Sequence, residues 1–424
     1  MGAKFDYAVR YSVRACCESP LRTGGENNEM EAVLRYPDGR AFVQGASLAG
    51  ALRSWLEQQN AAMAEQLFGS QKQAGQLVVS DGVFEDSEQQ IMRPRLKING
   101  ATGTAKDGGK FDVAAIGAGS RFGFELVWMG WQTQADALRW IEQMLAALHQ
   151  QEIRLGAQKT NGFGAVSLNV KKREFRMNNA DDRTAWLENH PAEQEIALPQ
   201  VQHREFVCFT VKAKADRVLI MAAERELREE NQAVTVNLSE NGEAIIPASS
   251  LKGAIRARAW VIAQYLGCES LVEQMFGTAA DGPEKELQAG SIILQDVKLS
   301  RAVRQEVKRI RINKFTGGVI QRGLLTQEPI SGEIRFDIKI PAEQTEGCGL
   351  LLFALRDLGM GLYNIGSGGS IGRGYLNVHA VEAETPEGHT GRMEFSSEGT
   401  CKLVDPDKTL EHWIQAVGRK QDEI

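Results

Sequence analysis

Polar and apolar residues alternate through MGAKFDYAVRYSV at the start of the chain, and this period of two predicts a strand. FELVWMG in one half and IRFDIKI in the other have the same β-type composition. ALRWIEQMLAALHQ has a different period: its apolar positions 138, 141, 144, 145 and 148 line one face of an amphipathic helix. LLLFALRDLGMGL occupies that slot in the second half. Each half reads strand, loop, helix, strand, a basic excursion rich in Gly and Thr, strand, helix, then a Gly-rich loop and a last strand. Strands interleaved with two helices predict an α+β fold with a ferredoxin-like βαββαβ core in each half. Such a core often offers an open sheet face to RNA, although a fold alone assigns no function.

The two halves are copies. GASLAGALR (45–53) matches ASSLKGAIR (248–256), LFG (67–69) matches MFG (275–277), and LVVSD (77–81) matches IILQD (292–296). KINGATGTAKDGG (97–109) matches RINKFTGGVIQRG (311–323), and LGAQKTNGFGAVSLNV (155–170) matches IGSGGSIGRGYLNV (365–378). The order is the same in both copies and the offset stays between 203 and 215 residues, which indicates tandem domains. We place a first domain at 1–175, a polar linker at 176–203, a second domain at 204–385, and a tail or short helix at 386–424 around LEHWIQAV.

Composition narrows the class. With 424 residues, 42% hydrophobic and 25% charged, the chain suits a globular protein of two or three domains. No run of about 18 apolar residues suggests a membrane span. The first residues lack the apolar block of a secretory signal. Met-Gly is no myristoylation signal, because position 6 is Asp. Cys16, Cys17, Cys208, Cys268, Cys348 and Cys401 form no CxxC and no zinc-ligand spacing, so they read as reduced thiols of a cytoplasmic protein. Cys16 and Cys17, neighbours on a strand, should point to opposite faces. A net charge of −6 argues against a protein that coats nucleic acid everywhere, and is compatible with a local basic groove.

The repeated loops carry the candidate chemistry. Ser249 or Ser250 is placed to cap a helix, and a helix start, with free amides and partial positive charge, suits a phosphate. Lys252 opposes the helix dipole there, at a cost of roughly a few tenths of a kcal/mol. It therefore reads, with Arg256, as placed for an anionic ligand; the plain alternative is a solvated face of a capped amphipathic helix. The first copy offers Ser47 and Arg53 but has Ala49 in the place of Lys252, so a weaker contact is expected. The Gly-rich loops permit close backbone approach, and successive amides in them can cup phosphate. Their candidates are Gly156, Lys159, Asn161, Gly162 and Gly164 in the first copy. Those in the second are Gly366, Ser367, Gly369, Ser370, Gly372, Arg373 and Gly374. The alternative is a glycine-bearing turn feeding the last strand. No Walker A pattern occurs, and a strand follows GSGGSIG where a dinucleotide site needs a helix, which disfavours a dinucleotide-binding metabolic enzyme.

The third element is basic. SRAVRQEVKRIRINKFTGGVIQR carries Arg301, Arg304, Lys308, Arg309, Arg311, Lys314 and Arg322 against Glu306. MRPRLKINGATGTAKDGGK carries Arg93, Arg95, Lys97, Lys106 and Lys110 against Asp107. Together with Thr102 and Thr316, these segments suit a groove that tracks phosphates.

IPASSLKGAIR, DVKL, INKFTGGVIQRG and IGSGGSIGRGYL together resemble the RAMP superfamily of CRISPR-associated proteins. They are most similar to Cas-seven-type backbone subunits of type III effector complexes, and the tandem fusion resembles those of III-D-like systems. The resemblance covers nearly the whole chain, twice. It implies RRM-like palms that grip CRISPR RNA through the SLKG helix start and the Gly-rich loop. It also implies β-hairpin thumbs that wedge into the guide–target duplex. The implied partners are CRISPR RNA, target RNA, a Cas-ten-type large subunit, a small subunit, a Cas-five-type cap and further backbone subunits, without a membrane. The family also cleaves target RNA with a carboxylate, commonly Asp, and a divalent ion such as Mg2+ or Mn2+. Here Met30 stands at the aligned Asp in the first copy, flanked by Glu29 and Glu31, and Gln232 in the second, near Glu229 and Glu230. Either Glu31 is a displaced catalytic group, or both sites are inactive; the second domain is expected to lack strong nuclease activity. A stand-alone RAMP endoribonuclease that processes precursor CRISPR RNA is the rival, but its usual histidine base is missing near the basic loops.

Overall fold

The computed structural model describes residues 5–24, 33–85, 88–98, 105–134, 136–201, 205–222, 225–228, 233–278, 288–396 and 399–418. Contacts divide the chain into two units. The first comprises Met1–Met92, Asp112–Lys159 and Phe163–His203; the second comprises Arg93–Phe111, Thr160–Gly162 and Arg204–Ile424.

In the first unit, β1 (Tyr7–Cys17) is followed by α1 (Gly45–Gln59), α2 (Ala61–Phe68) and β2 (Leu77–Val79). A long hairpin of β3 (Gln90–Ile98) and β4 (Ala105–Ile116) comes next along the chain, its stretch Arg93–Phe111 belonging to the second unit; β5 (Arg121–Gly130), α3 (Asp136–His149) and β6 (Val166–Arg176) of the first unit follow. The sheet runs β6–β1–β5–β2, all antiparallel, which is the ferredoxin-like order. Gly82–Phe84, Ala41–Val43 and Leu34–Arg35 extend it beyond β5. Register explains the core. Val9, Tyr11 and Val13 oppose Trp128, Leu126 and Phe124. All six are buried, under Leu48, Leu52 and Leu56 of α1 and the apolar face of α3. Cys17 is buried and Cys16 half-buried, as neighbours on opposite faces of a strand should be.

The expected linker is ordered. Asn179 caps α4 (Ala180–Leu187) by accepting from the Asp181 and Asp182 amides, and Ala185 and Trp186 pack on Ala8 and Phe175. The buried Arg10 guanidinium donates to the Asn189 and His190 carbonyls, at 3.1 and 2.6 Å.

The second unit repeats the plan with β7 (Phe206–Val218), α5 (Ala248–Leu266), α6 (Glu269–Phe276) and β8 (Ile293–Leu294). The hairpin of β9 (Val307–Ile312) and β10 (Val319–Glu328) follows, then β11 (Ile330–Pro341), α7 (Thr345–Gly359) and β12 (Leu376–Glu384). The sheet order β12–β7–β11–β8 is the same ferredoxin-like order. Phe209, Val211 and Ala213 oppose Ile338, Phe336 and Ile334, all buried. The tail adds more than a short helix. β13 (Thr390–Phe395) and β14 (Cys401–Val404) extend the sheet beyond β12. α8 (Thr409–Gly418) buries Leu410, Trp413 and Val417, with the Trp413 ring 5.7 Å from that of Phe209.

Candidate nucleic-acid interface

The two helix starts share a feature that the sequence reading missed. The first amide of α1, Gly45, donates to Asp81 Oδ1 at 2.7 Å, and that of α5, Ala248, donates to Asp296 Oδ1 at 2.8 Å. These are the aspartates that end LVVSD and IILQD. Ser249 and Ser250 do not cap α5: the capping position is Pro247 and no side chain bonds there from within the helix. Both serines already lie in the first turn, where their own amides need acceptors. Ser47 likewise lies inside α1, whose capping residue is Gln44. A carboxylate at a helix start satisfies the dipole and opposes a phosphate.

Lys252 is also corrected. It is 6% exposed, and its ammonium donates to the carbonyls of Ile292 and Thr160, each at 3.3 Å, within the second unit. Burial, helped by the charge of Arg256, lowers its pKa to about 8. The helix therefore does not hold Lys252 out for a ligand. Arg256 is half-buried, Arg53 pairs with Glu57 at 2.7 Å, and Arg258 pairs with the buried Asp357 at 2.6 Å. Arg93 leaves the groove as well: it is 2% exposed, with Nη2 2.7 Å from Glu240 and 2.6 Å from Asp296.

The Gly-rich loops are alike in construction. The Leu155 amide donates to the Gly164 carbonyl and Ile365 to Gly374, at 2.9 and 2.8 Å, closing each loop. Ala157 and Ser367 bond back to Arg22 and Leu219, each at 2.8 Å. A Cβ on Gly164 or Gly374 would fall 2.0 or 2.1 Å from the carbonyl oxygen of Leu155 or Ile365, so only glycine fits. A Cβ on Gly156 would collide with the Arg22 carbonyl and one on Gly366 with that of Leu219. Lys159 and Asn161 form a short turn in the first loop, Gly369 and Ser370 its counterpart in the second.

Beside the second loop the charge is concentrated. Arg373 is 4% exposed and donates to the neutral Gln327 side chain at 2.8 Å. Burial lowers its pKa, and the charges of Arg309 and Arg217 lower it further. Arg217, held at φ 46°, donates to the Gly372 carbonyl at 3.2 Å. Arg217 and Arg373 thus meet at one glycine loop, with Asp216 as the acid paired to Arg217, and the charge of Arg309 is felt at Arg373. The sequence reading named Arg373 and Arg309 but not Arg217, which ends a strand far away in the chain.

The hairpins place the remaining candidates. Arg301, Arg304 and Lys308 are paired with Glu333, Glu328 and Glu306, so that excursion is less uniformly free than its sequence suggests. Arg309 and Arg311 are exposed and alternate with Ile310 and Ile312, exposed at 54% and 58%. The first hairpin repeats this alternation: Arg95, Leu96, Lys97, Ile98, with Leu96 and Ile98 exposed at 48% and 57%. Cross-strand pairing puts Leu324 and Val319 beside Ile310 and Ile312, so one side of β9–β10 is aliphatic. Asn313 shapes the tip by accepting from the Phe315 and Thr316 amides at 2.9 and 3.3 Å. That turn presents Phe315, 87% exposed, with the Lys314 ammonium 5.1 Å from its ring centre. Lys106 is exposed on β4. Glu29, Glu31 and Thr102 lie outside the described residues, as do Glu229, Glu230, Gln232 and the Arg322 side chain.

The sheet faces are partly occupied. In the first unit α4 covers the face that carries Ala8 and Arg10. In the second that face is laced with charge pairs, including Lys212 with Glu382 at 2.8 Å and Arg392 with Glu394 at 3.4 Å.

A family model described as the RAMP superfamily matches residues 16–167 and 227–377, one stretch in each repeat and together more than half of the chain. The chain belongs to the RAMP superfamily. Its CRISPR association and RNA-binding role follow from that membership, as does assembly into multi-subunit complexes. A search of curated proteins finds no match. The two matched stretches of this RAMP protein each hold the helices and the hairpin of one repeat and leave out most of its first and last core strands. No helix among the described residues is long and apolar enough to cross a membrane.

Proposed function

We propose that this RAMP protein is a CRISPR RNA-binding backbone subunit of a type III effector complex that holds a guide–target duplex along its hairpins. The observation that carries the reading is the duplicated ribbon, Arg95-Leu96-Lys97-Ile98 and Arg309-Ile310-Arg311-Ile312, with cations and exposed aliphatic residues in alternation. An RNA strand has matching chemistry: phosphates suit the cationic side, and unstacked bases suit the aliphatic side and the Phe315 ring. In the second unit the charge of Arg309 is felt at Arg373 and Arg217 bonds the Gly372 carbonyl, which supports a backbone path from hairpin to palm. These groups recognise charge and shape and carry no base code. The partners in this reading are target RNA, a Cas-ten-type large subunit, a small subunit, a Cas-five-type cap and other backbone subunits.

No metal step enters the proposal. The candidate carboxylates Glu29 and Glu31 lie outside the described residues, and among the described residues no group of three or more His, Cys, Asp and Glu could hold a metal ion. The test is RNA affinity against salt for the wild type and for Arg309→Ala/Arg311→Ala. Loss of two phosphate contacts should lower the log–log salt slope by about 1.4, at ~0.7 per contact on a single strand. Unchanged affinity and slope would overturn the reading.

A further inference from the structure

Both hairpins carry the same irregularity, and in each it sits beside a cation. On β9–β10 Ile310 pairs with Leu324, yet Ile312 pairs with Val319, so Arg311 alone faces residues 320–323. Two steps along β9 match five along β10, which leaves three extra residues in a bulge. Gly323 closes it: a Cβ there would fall 2.5 Å from the Ile320 carbonyl oxygen and 3.2 Å from the Arg311 Cβ. In the first hairpin a Cβ on Gly109 would fall 2.9 Å from the Lys106 carbonyl oxygen and 3.1 Å from the Lys97 Cβ. Gly109 and Gly323 occupy the same place in KINGATGTAKDGG and RINKFTGGVIQRG, as do Lys97 and Arg311. Both hairpin segments lie in the second unit.

The bulge decides which residues share a side of the hairpin. Side chains alternate along a strand, so Val319 and Leu324, five apart, would face opposite sides of a regular β10. The odd number of extra residues returns Val319 to the side of Leu324, beside Ile312. Without the bulge the ladder would run on from Ile310–Leu324 to Arg311–Gly323 and Ile312–Arg322. Arg322 would then interrupt the aliphatic side. Asn313 would leave the turn in which its amide donates to the Gly318 carbonyl at 2.8 Å, the turn that presents the exposed Phe315.

We infer that Gly323, and Gly109 by the same construction, are positioning residues of the RNA interface. Each lets the bulge close and seats a cation against bare backbone, and Gly323 thereby holds the register that sets Phe315 at the tip. A side chain at 323 meets the Ile320 carbonyl, and expelling the bulge is the way to make room. The proposal rests on the RNA-binding reading for what touches the hairpins, and on the hairpins alone for the register.

The test has one arm without RNA. Full-length protein carrying Ile312→Cys/Val319→Cys, mildly oxidised, should form a disulfide that mass spectrometry finds between the two positions, because they are cross-strand partners. Ile312→Cys/Arg322→Cys should not link. Adding Gly323→Ala to each pair should reverse the result. The second arm is filter binding to single-stranded RNA. Gly323→Ala alone should weaken binding about tenfold, the order of one stacked base. Phe315→Ala should then cost less than about twofold in the Gly323→Ala protein, since a tip already displaced has little left to lose, whereas independent sites would give additive losses. Unreversed linkage would overturn the register. Reversed linkage with unaltered affinity, or with additive losses, would overturn the positioning role. Should Gly323→Ala fail to fold, the two cysteine pairs in the otherwise unaltered chain decide: a bond through position 322 overturns the inference, and one through 319 alone upholds it. Failure of the RNA reading shows in the arginine variant above, and the disulfide arm still decides the register.

Discussion

Replacing Lys252 by Met keeps the reach of the side chain while removing its charge and its bonds to the Ile292 and Thr160 carbonyls. In the folded chain burial holds the ammonium's pKa at about 8; in an unfolded chain it is about 10.4. Below about pH 8 both states carry the proton, and the full cost of the buried charge is present. Between the two values the unfolded state keeps its proton and the folded state has released it, so stability rises with pH. The whole gap amounts to about 3 kcal/mol at about 1.4 kcal/mol per pKa unit, and about 2 kcal/mol of it appears between about pH 7.5 and pH 10. Other groups titrate over the same range. The informative quantity is therefore the pH gain of the wild type minus that of Lys252→Met, each from urea unfolding at the two pH values. We expect a difference of about 2 kcal/mol. Equal gains in the two proteins would show that Lys252 is solvated in the folded chain.

Other perturbations probe the same framework. Gly374→Ala puts a methyl group against the Ile365 carbonyl and should cost about 3 kcal/mol, whereas Gly372→Ala meets open space and should cost only the ~1 kcal/mol of its positive φ; thermal melts separate the two, and equal losses would contradict the loop geometry. Asp296→Ala removes a helix cap and half of the charge around buried Arg93, for about 3 kcal/mol, while Asp81→Ala removes the cap and the Tyr36 bond, for about 1 kcal/mol. Equal shifts in urea midpoint would contradict that ranking. Phe315→Ala should weaken RNA binding by about 1–3 kcal/mol, the worth of one stacked base, without changing the melting temperature, since the ring is exposed; unaltered affinity would remove the tip from the interface.

Periodicity made the fold legible. The alternation around Tyr11 and the spacing of Ile141, Met144, Leu145 and Leu148 are local signals, and they place a strand and a helix where both occur. The collinear repeats made the duplication legible for the same reason. The helix starts were not legible, because their chemistry is settled by residues remote in the chain. Asp296 reaches back 48 positions to cap Ala248, and Lys252 is buried by the carbonyl of Ile292. A usable signal was present: the aspartate recurs at the end of both LVVSD and IILQD, and a repeated acid beside a repeated helix start is a cap candidate. The hairpins were read for charge alone. RLKI and RIRI are equally visible in the sequence, but that Leu96, Ile98, Ile310 and Ile312 stay exposed is a fact of the fold.

Divergence between the copies follows from what each loop touches. In the first loop the residue between the last two glycines is Phe163, 2% exposed, and Gly162 is packed against main chain. A cation at position 163 would be buried without an anion. In the second loop the same position is Arg373, also buried but within reach of Arg309 and Arg217, and Gly372 is open. The like charges of Arg309 and Arg217 lower the pKa of Arg373, and a polyanion bound there would relieve that repulsion. The glycine framework is common to both loops because the backbone demands it, whereas the residue inside the framework follows the neighbour. The second unit should accordingly hold RNA more tightly than the first: Arg373→Ala should cost more affinity than Lys159→Ala in the same filter-binding assay, and the reverse ranking would place the main grip on the first loop.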